Sequence, residues 1–498
     1  MIRPLPLISL TLLVVSCGNA PTPPSEATAP GPEVVTVLGE SPVSQRIELP
    51  AAQTLAVSPT TLQAASLPGS AAAAHAVPRW TGPVHLSYSM YDAGRGAVGP
   101  QGELTVTAAD DTTARFEVAR YAANGQPLAQ HGYSLPAPSN IPAGSGPAHP
   151  YPQTWVVSTE DAPDQELYVM NIYGSGPGNT PDPARGPVQA EFRLLNAALH
   201  PRMTNVDGPY HLPLLVSANS EVRPGQRGIV VATPRPWNFS GSQRAPRGTR
   251  IYELSHQAWD NVETDQLNVL LPPSQYADHY TSSQMDTAPD GSVYVATFTS
   301  YQQDCVRACP SVAGVTRLRG GQVEWQKFWD ADEPVQLSDV AASEAGVGLL
   351  LTRSQAGANE GSESPAQSNV LLTFSADGTP LQNLNIPGET ANVAFPLAYQ
   401  QLQLKADGRF VLGAAQVLAA GNLKQGITRK QVLGGIYTQL EVQHLLGRGE
   451  YLYVQGKAAP GELAQVQPPV PLPTRPKAAS YQSEQFVLPY DFDLNPRW

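Results

Sequence analysis

The chain has 498 residues, with 42 acidic against 30 basic side chains and a formal net charge of −12. Because nucleic-acid binding needs a basic surface, this balance argues against a nucleic-acid partner. Charged residues make up only 14% of the chain, while 50 prolines and 42 glycines indicate many turns. This composition favours an all-β fold over a helical one.

The N-terminus has the pattern of an export signal. Arg3 precedes a mostly apolar stretch, Leu5–Val15, which is too short to span a bilayer and predicts a removed signal rather than a membrane anchor. The letters VVSC at residues 14–17 resemble a bacterial lipobox, where cleavage before the cysteine frees an N-terminal Cys that carries lipid. The resemblance implies a signal peptide over residues 1–16 and a lipid on Cys17. It also implies a location at the extracytoplasmic face of a cell-envelope membrane; an ordinary secretory signal is the alternative.

Residues 17–80 predict a disordered tether. The segment is rich in Pro, Ala, Ser and Thr and has almost no aromatic residues. Such a composition cannot bury enough apolar surface to offset chain entropy. We expect a semi-extended link between the lipid and the folded body.

The two remaining cysteines, Cys305 and Cys309, form an even pair in an exported chain. This predicts a disulfide that closes a small loop. A zinc site would need two further ligands at suitable spacing, and the sequence near the pair offers none. No metal and no cofactor are therefore expected.

Two kinds of hairpin alternate through the body of the chain. In one kind a return strand follows a turn at Asn124-Gly125, Gly320-Gly321 or Asp377-Gly378. Asn-Gly, Gly-Gly and Asp-Gly supply the positive φ angles of two-residue hairpin turns. In the other kind a strongly apolar strand follows the turn, and such turns lie near residues 164, 225, 290, 346, 407 and 448.

The second kind of turn recurs roughly every 60 residues, and two hairpins per step supply the four strands of one propeller blade. The sequence therefore predicts a β-propeller over residues 81–457, with seven blades and a range of six to eight. Strands in Val84–Ala108 and the tail after Tyr481 are expected to form a composite blade. A β-sandwich is the alternative, although it would not require a fixed step.

The repeats also carry a family resemblance. Gly314–Leu350 and Asn369–Gly413, with their alternating strands and Asp-Gly turns, resemble the bacterial β-propeller repeats known as SBBP repeats. The resemblance covers under a quarter of the chain and implies the fold. It implies no activity, because these repeat proteins share none.

Catalytic signatures are absent from the sequence. It contains no Gly-x-Ser-x-Gly and no His-Glu-x-x-His. The densest acidic and aromatic group is Asp330-Ala-Asp332-Glu333 beside Trp325 and Trp329, interpreted as a solvated loop or a carbohydrate or peptide contact. We expect a non-enzymatic binding or scaffold protein with protein or glycan partners. The alternatives are a glycan-active or quinoprotein-like propeller enzyme and an assembly factor for outer-membrane proteins.

Two segments are candidate contact surfaces. Between residues 223 and 250 there are six arginines and no acidic residue, which predicts a positive, aromatic patch for an anionic glycan or acidic partner. The patch residues are Arg235, Trp237, Phe239, Arg244 and Arg247. A Pro-rich spacer, residues 458–480, leads to the aromatic segment 481–498, which either docks on the propeller through Gln485–Leu488 or binds a partner.

Overall fold

The computed structural model describes most of the body and three short N-terminal segments. None of the described residues lies in a helix, so in this part of the chain no helix is long and apolar enough to cross a membrane. The described residues are 34–36, 43–57, 84–89, 95–110, 115–134, 153–158, 167–173, 188–200, 210–216, 221–224, 228–234, 248–255, 264–270, 279–301, 311–331, 335–354, 367–388, 398–433, 440–459 and 483–498.

The strands of this region group into seven sheets, which we number as blades in chain order. Four strands precede the first full hairpin: β1 (Val34–Thr36), β2 (Ser44–Arg46), β3 (Gln53–Thr54) and β4 (Val84–Ser89). Blade 1 comprises β5 (Ala97–Val98), β6 (Leu104–Asp110), β7 (Arg115–Tyr121) and β8 (Pro127–Ser134). Blade 2 comprises β9 (Gln153–Ser158), β10 (Leu167–Tyr173), β11 (Val188–Leu195) and β12 (Tyr210–Val216).

Blade 3 comprises β13 (Glu221–Pro224), β14 (Gly228–Pro234), β15 (Gly248–Ser255) and β16 (Thr264–Leu270). Blade 4 comprises β17 (His279–Thr287), β18 (Val293–Tyr301), β19 (Ser311–Arg319) and β20 (Gln322–Ala331).

The last three blades complete the series. Blade 5 comprises β21 (Val335–Ser343), β22 (Gly346–Ser354), β23 (Gln367–Ser375) and β24 (Pro380–Ile386). Blade 6 comprises β25 (Gln401–Leu404), β26 (Arg409–Ala414), β27 (Val417–Asn422) and β28 (Gly426–Val432). Blade 7 comprises β29 (Glu441–Arg448), β30 (Tyr451–Ala458), β31 (Ser483–Tyr490) and the early strand β4.

The first strands of the blades form a closed ring. β5, β9, β13, β17, β21, β25 and β29 contact one another in that order, and β29 contacts β5 again. Four-stranded antiparallel sheets arranged radially around a central channel are a β-propeller. The prediction of an all-β propeller is confirmed, and the number of sheets lies within the predicted range.

The turns explain why the repeats were visible in the sequence. All six turns of the second kind connect the first and second strands of a blade, in blades 2 to 7. Asn124, Gly320 and Asp377 belong to turns between third and fourth strands. The two kinds of hairpin are therefore the inner and outer halves of each blade.

The geometry of the Asp-Gly turns differs from the prediction of two-residue loops. The Ser375 amide donates to the Thr379 carbonyl, so the loop at Asp377-Gly378 has three residues and ends at Gly378, whose φ is 83°. The Asp377 carboxylate accepts a hydrogen bond from the Thr379 amide and holds the chain in this wider turn. Gly320 and Gly321, with φ angles of 55° and 75°, form the predicted two-residue turn.

Blade 7 joins the two ends of the chain. β31 lies between β30 and β4 and pairs antiparallel with both. The propeller therefore extends beyond residue 457, and residues 483–498 of the C-terminal segment belong to it. The composite sheet differs from the expected one in containing β29 and β30, while β5 and β6 start blade 1.

The residues after β31 lie against blades 6 and 7. Tyr490 is fully buried, its hydroxyl accepts a hydrogen bond from Gln431, and its ring packs edge-on against Trp498 with centroids 5.2 Å apart. Arg429 donates to the Asn495 side chain. Phe486, Tyr490 and Phe492 are thus part of the core, and Trp498 packs against it.

The N-terminal segments lie along the outer edges of blades 3 to 6, which the sequence did not predict. β1, β2 and β3 pair in parallel with β16, β20 and β24, the outermost strands of blades 3, 4 and 5, and Val57 forms a parallel bridge with Ile427 in blade 6. We call residues 43–57 the N-terminal arm. The prediction of disorder over residues 17–80 is wrong for the arm, because the blades supply backbone partners that composition does not reveal.

The cores of the propeller lie between adjacent blades. One cluster joins Phe298 and Trp329 of blade 4 to Leu349 and Phe374 of blade 5. Trp329 is 3% exposed and its ring lies edge-on to Phe298, with centroids 6.0 Å apart. Trp325 is also buried, so neither Trp can stack on a sugar, and the acidic residue Asp330 pairs with Arg46 of the arm.

Candidate functional site

Charged side chains gather where the first strands surround the channel. Glu221 and Arg223 lie on β13, Asp286 on β17 and Asp339 on β21, while Arg95 precedes β5. Arg223 forms ion pairs with Glu221 at 3.0 Å and with Asp286 at 3.4 Å. Arg95 interacts electrostatically with all four of the others. Two guanidinium groups and three carboxylates thus form one network, which we call the channel cluster.

Each carboxylate of the cluster also bonds to the next blade. In every case it accepts a hydrogen bond from a backbone amide on the first strand of the following blade. The pairs are Glu221 Oε2 with the Met285 amide at 3.0 Å, Asp286 Oδ2 with the Ala342 amide at 2.8 Å, and Asp339 Oδ2 with the Leu402 amide at 2.7 Å. Buried backbone amides need such partners, so these contacts hold successive blades in register.

In the interface between blades 6 and 7, a glutamine side chain makes the equivalent contact. Gln403 on β25 donates from Nε2 to the Leu445 carbonyl on β29 at 3.0 Å. The series of inter-blade hydrogen bonds therefore runs through four consecutive interfaces, from blade 3 to blade 7. In blade 5 a register shift between Leu337 and Asp339 accompanies the contact. Such a bulge redirects the side chain that follows it.

Asp339 is the most strongly perturbed acid of the cluster. Burial raises its pKa to about 7, against the opposing effects of Arg95, the Leu402 amide and Arg223. Burial likewise lowers the pKa of Arg95. The Asp339 carboxyl group of the channel cluster therefore titrates near neutral pH.

The raised pKa makes stability depend on pH in a defined direction. The folded state holds the proton of Asp339 more tightly than the unfolded chain, so this group's contribution is complete below about pH 4 and is lost as the pH rises to about 7. The slope is about 1.4 kcal/mol per pH unit. Asp339→Asn keeps an acceptor for the Leu402 amide and removes the titration, so its stability relative to the wild type should increase from pH 4 to 7 and then level off. Urea unfolding at each pH measures this difference.

Asp290→Asn is the matched control with the opposite sign. Burial raises the pKa of Asp290, but hydrogen bonds from Ser292 and the charge of Arg317 outweigh it, and the pKa is lowered. Its stabilising effect is present above the unfolded pKa and is lost as the pH falls, so the Asn variant should lose stability above pH 4. A constant difference between Asp339→Asn and the wild type across this range would contradict the assignment.

The carboxylates of the channel cluster connect adjacent blades. Convergent carboxylates are what a propeller enzyme would need. Here the three carboxylates are already engaged, each with a neighbouring blade, and Glu221 and Asp286 also with Arg223. Among the described residues, no three metal-binding side chains lie close enough together to hold an ion.

The structure does not describe the residues predicted as sites. Cys17, Cys305 and Cys309 lie outside the described residues, as do the five patch residues, which are Arg235, Trp237, Phe239, Arg244 and Arg247. The lipidation, the disulfide and the patch therefore stay predictions. Arg223, which we counted with the same arginine group, is 4% exposed and belongs to the channel.

The channel cluster was missed in the sequence, although a signal was present. When Asp290-Gly291 and Asp407-Gly408 are superposed as equivalent turns, Asp286 and Gln403 fall at the same position, four residues earlier. Both side chains make the inter-blade contact. A polar residue at a fixed distance before equivalent turns indicates a repeated structural task.

No family model matches the sequence, and no curated protein matches it. Solved structures with similar folds include the periplasmic gluconolactonase of Pseudomonas aeruginosa, at 13% identity and a TM-score of 0.41, covering 77% of this chain and 98% of that chain. The WD40 domain of Neurospora crassa Pan2 matches at 9% identity and a TM-score of 0.36, covering 79% and 88%. A protein of unknown function from Bacteroides caccae matches at 13% identity and a TM-score of 0.33, covering 67% and 93%. At these identities and TM-scores the similarity does not extend to function.

Proposed function

We propose that this protein is a non-enzymatic binding or scaffold protein of the bacterial cell envelope. A lipid on Cys17 would hold it at the extracytoplasmic face of a membrane, and its loops would bind a protein or glycan partner. The observation that supports a binding role is the engagement of the channel carboxylates with neighbouring blades. Groups that hold the ring together are poorly suited to exchange protons with a substrate, because any movement would disturb the blade interfaces.

The predicted patch supplies the binding surface in this proposal. Residues 235–247 connect β14 to β15 in blade 3, so the patch lies in the segment between two paired strands. Loops on a rigid scaffold are common sites of recognition. Guanidinium groups beside aromatic rings suit an anionic glycan or an acidic protein surface.

A second candidate function rests on the N-terminal arm and on β1, which precedes it in the chain. Three outer blade edges pair in parallel with short extended strands of this chain. Addition of a strand to a sheet edge is a general way to bind extended polypeptides. An assembly factor for outer-membrane proteins would use the same mode of contact with a client strand.

The proposal predicts different outcomes for two variants. Cys17→Ser should move the protein from the membrane fraction to the soluble fraction, because stable anchoring depends on the attached acyl chains. A variant with Arg235, Arg244 and Arg247 changed to Gln should stay in the membrane fraction and lose its envelope partner. Both are measured by fractionation and by affinity capture from detergent-solubilised envelope, with protein and glycan analysis of the recovered material.

Each variant is the control for the other. Membrane retention of Cys17→Ser would contradict the lipid anchor without affecting the patch. Equal recovery of the same partner by the wild type and the arginine variant would contradict the patch without affecting the anchor. Recovery of no partner by the wild type would count against the binding function itself.

A further inference from the structure

Two histidines from neighbouring blades meet at the outer part of the propeller. His131 lies on β8, the outermost strand of blade 1, and His200 lies in the turn that follows β11 in blade 2. Their ring centroids are 5.8 Å apart, and the ring planes cross at 73°. In the sequence the two residues are far apart and have no ligand spacing, so only the fold brings them together. We call them the histidine pair.

The separation of the two rings suits a shared metal ion. With a metal–nitrogen distance of about 2.1 Å, and about 1.1 Å from that nitrogen to the ring centre, two imidazoles on a tetrahedral ion have centroids about 5 Å apart. The observed separation is slightly larger. Rotation about the side-chain bonds can close the difference, because His131 is half-buried and His200 is exposed.

The ring nitrogens of the histidine pair are available to a ligand. Within the described part of the chain, the contacts of the two imidazoles are with each other and with the Tyr133 ring, and no hydrogen bond or ion pair involves a ring nitrogen. A neutral imidazole binds a metal through the lone pair of one nitrogen. Because solvent reaches both side chains, water can supply the remaining ligands of a four-coordinate ion.

The turn that carries His200 is ordered by Asn196. Asn196 Oδ1 accepts hydrogen bonds from the Ala198 amide at 2.9 Å and from the His200 amide at 3.0 Å. The Asn196 amide donates to the His200 carbonyl, also at 3.0 Å. The backbone of His200 is therefore fixed within its own turn.

Blade 1 holds this turn from the strand that carries His131. The Tyr133 hydroxyl, two residues after His131 on β8, donates to the carbonyl of Leu199. Both Tyr133 and Leu199 are buried. This contact next to His200 fixes the two histidines relative to each other, so an ion that binds between them needs to order little of the chain.

Arg120 makes a second contact between blade 1 and the turn. Its Nη1 donates to the Ala197 carbonyl at 3.1 Å. The guanidinium charge is paired with Glu103, 3.7 Å away. The cation that supports the turn is therefore compensated by a carboxylate of its own blade.

From this arrangement we propose that His131 and His200 form an inter-blade site for a divalent transition-metal ion, with water completing the coordination. Imidazole ligands suit Zn²⁺, Cu²⁺ and Ni²⁺, whereas Mg²⁺ and Ca²⁺ prefer oxygen ligands. A bound ion would connect the outer parts of blades 1 and 2, while the inter-blade hydrogen bonds of Glu221, Asp286, Asp339 and Gln403 join blades 3 to 7. The site is independent of the lipid anchor and of the predicted patch.

Calorimetric titration with Zn²⁺ measures the site. The protein is the full chain with Cys17→Ser, which removes the need for detergent, purified without a polyhistidine tag. We expect saturable binding of one Zn²⁺ per chain and none of Mg²⁺. His131→Gln and His200→Gln should each weaken Zn²⁺ binding at least tenfold, because loss of a mere hydrogen-bond partner of a metal ligand already costs about 10–100-fold. His444→Gln, on β29 of blade 7, is the matched control and should leave the affinity unchanged.

Two further measurements test whether one ion contacts both rings. With Cu²⁺ in place of Zn²⁺, electron paramagnetic resonance should show two imidazole nitrogens in the wild type and fewer than two in each single variant. Because the two histidines come together only in the folded state, Zn²⁺ should raise the urea midpoint of the wild type. It should not raise the midpoint of the double variant. Without metal the variants should unfold like the wild type, since neither side chain is buried.

The outcomes separate the parts of the proposal. Unchanged Zn²⁺ affinity in both single variants would overturn the site. Loss of binding in only one of them, or a single nitrogen ligand on Cu²⁺ in the wild type, would show that one histidine acts alone and would overturn the shared site. Equal affinity for Mg²⁺ would overturn the assignment to a transition metal. None of these results bears on the membrane fractionation or on the predicted patch.

Discussion

Phe486→Ala is expected to lower the free energy of unfolding by about 3–5 kcal/mol. Phe486 is fully buried on β31, where it pairs with Gly456 on one side and His85 on the other. Its ring fills the space above Gly456, where a Cβ atom would lie 2.6 Å from the ring. Because β31 connects the C-terminal strands to β4, a cavity here weakens the contact that closes the ring.

The change is measured as the shift in the urea midpoint at constant slope. Leu381→Ala, at an exposed position on β24, is the control and should cost less than about 0.5 kcal/mol. A chain that ends before residue 483 should fail to fold cooperatively, because β4 would lose its partner strand and β30 would lose one of its two. Native-like unfolding of that truncated chain would show that ring closure is dispensable.

Leu55→Ala is expected to cost about 2–4 kcal/mol and to release the N-terminal arm first. Leu55 is 4% exposed and packs in a cluster with Leu371 and Phe410 of blades 5 and 6. Its amide donates to the Asn385 carbonyl at 2.9 Å. The arm has few other buried side chains, so loss of this contact should free it before the blades unfold.

Limited proteolysis and hydrogen exchange measure the release. Cleavage within residues 43–57 should become faster in Leu55→Ala while the blades stay protected. Val57→Ala, at a 41% exposed position of the same arm, is the matched control and should leave cleavage unchanged. Gly426→Ala should act like Leu55→Ala, since Gly426 has a φ of 85° and an added Cβ would lie 2.0 Å from the Ala56 carbonyl oxygen. Unchanged protection in both Leu55→Ala and Gly426→Ala would mean that the arm is held by other contacts.

The repeat and its turns were predictable because they depend on neighbouring residues. Asp290-Gly291 and Asp407-Gly408 form hairpin turns without help from distant residues. Gly adopts a positive φ, and the Asp carboxylate accepts a hydrogen bond from the amide two residues later. Apolar alternation predicted the strands beside them. The size of the loops was predicted less well, because Asp-Gly is compatible with loops of two or three residues.

The candidate site and the arm were not predictable in the same way. Low hydrophobicity in residues 17–80 predicted disorder, yet residues 43–57 gain order from backbone groups of blades 4, 5 and 6. Ser44 illustrates this, since its hydroxyl donates to Gln326, 282 residues later in the chain. The local sequence around Asp286 or Asp339 likewise does not reveal the role of the side chain, because the backbone amide that each carboxylate binds belongs to the next blade.

The sequence by itself determined the all-β class, the unit that repeats and the turns that punctuate it, because hydrophobic alternation and turn chemistry act over a few residues. Only the tertiary structure decided which ends meet in blade 7, where the arm lies and which charges face the channel. These features come from contacts between segments far apart in the chain. Closure of the ring brings such segments together. A pattern within a few residues does not identify the distant segment that will pack against them.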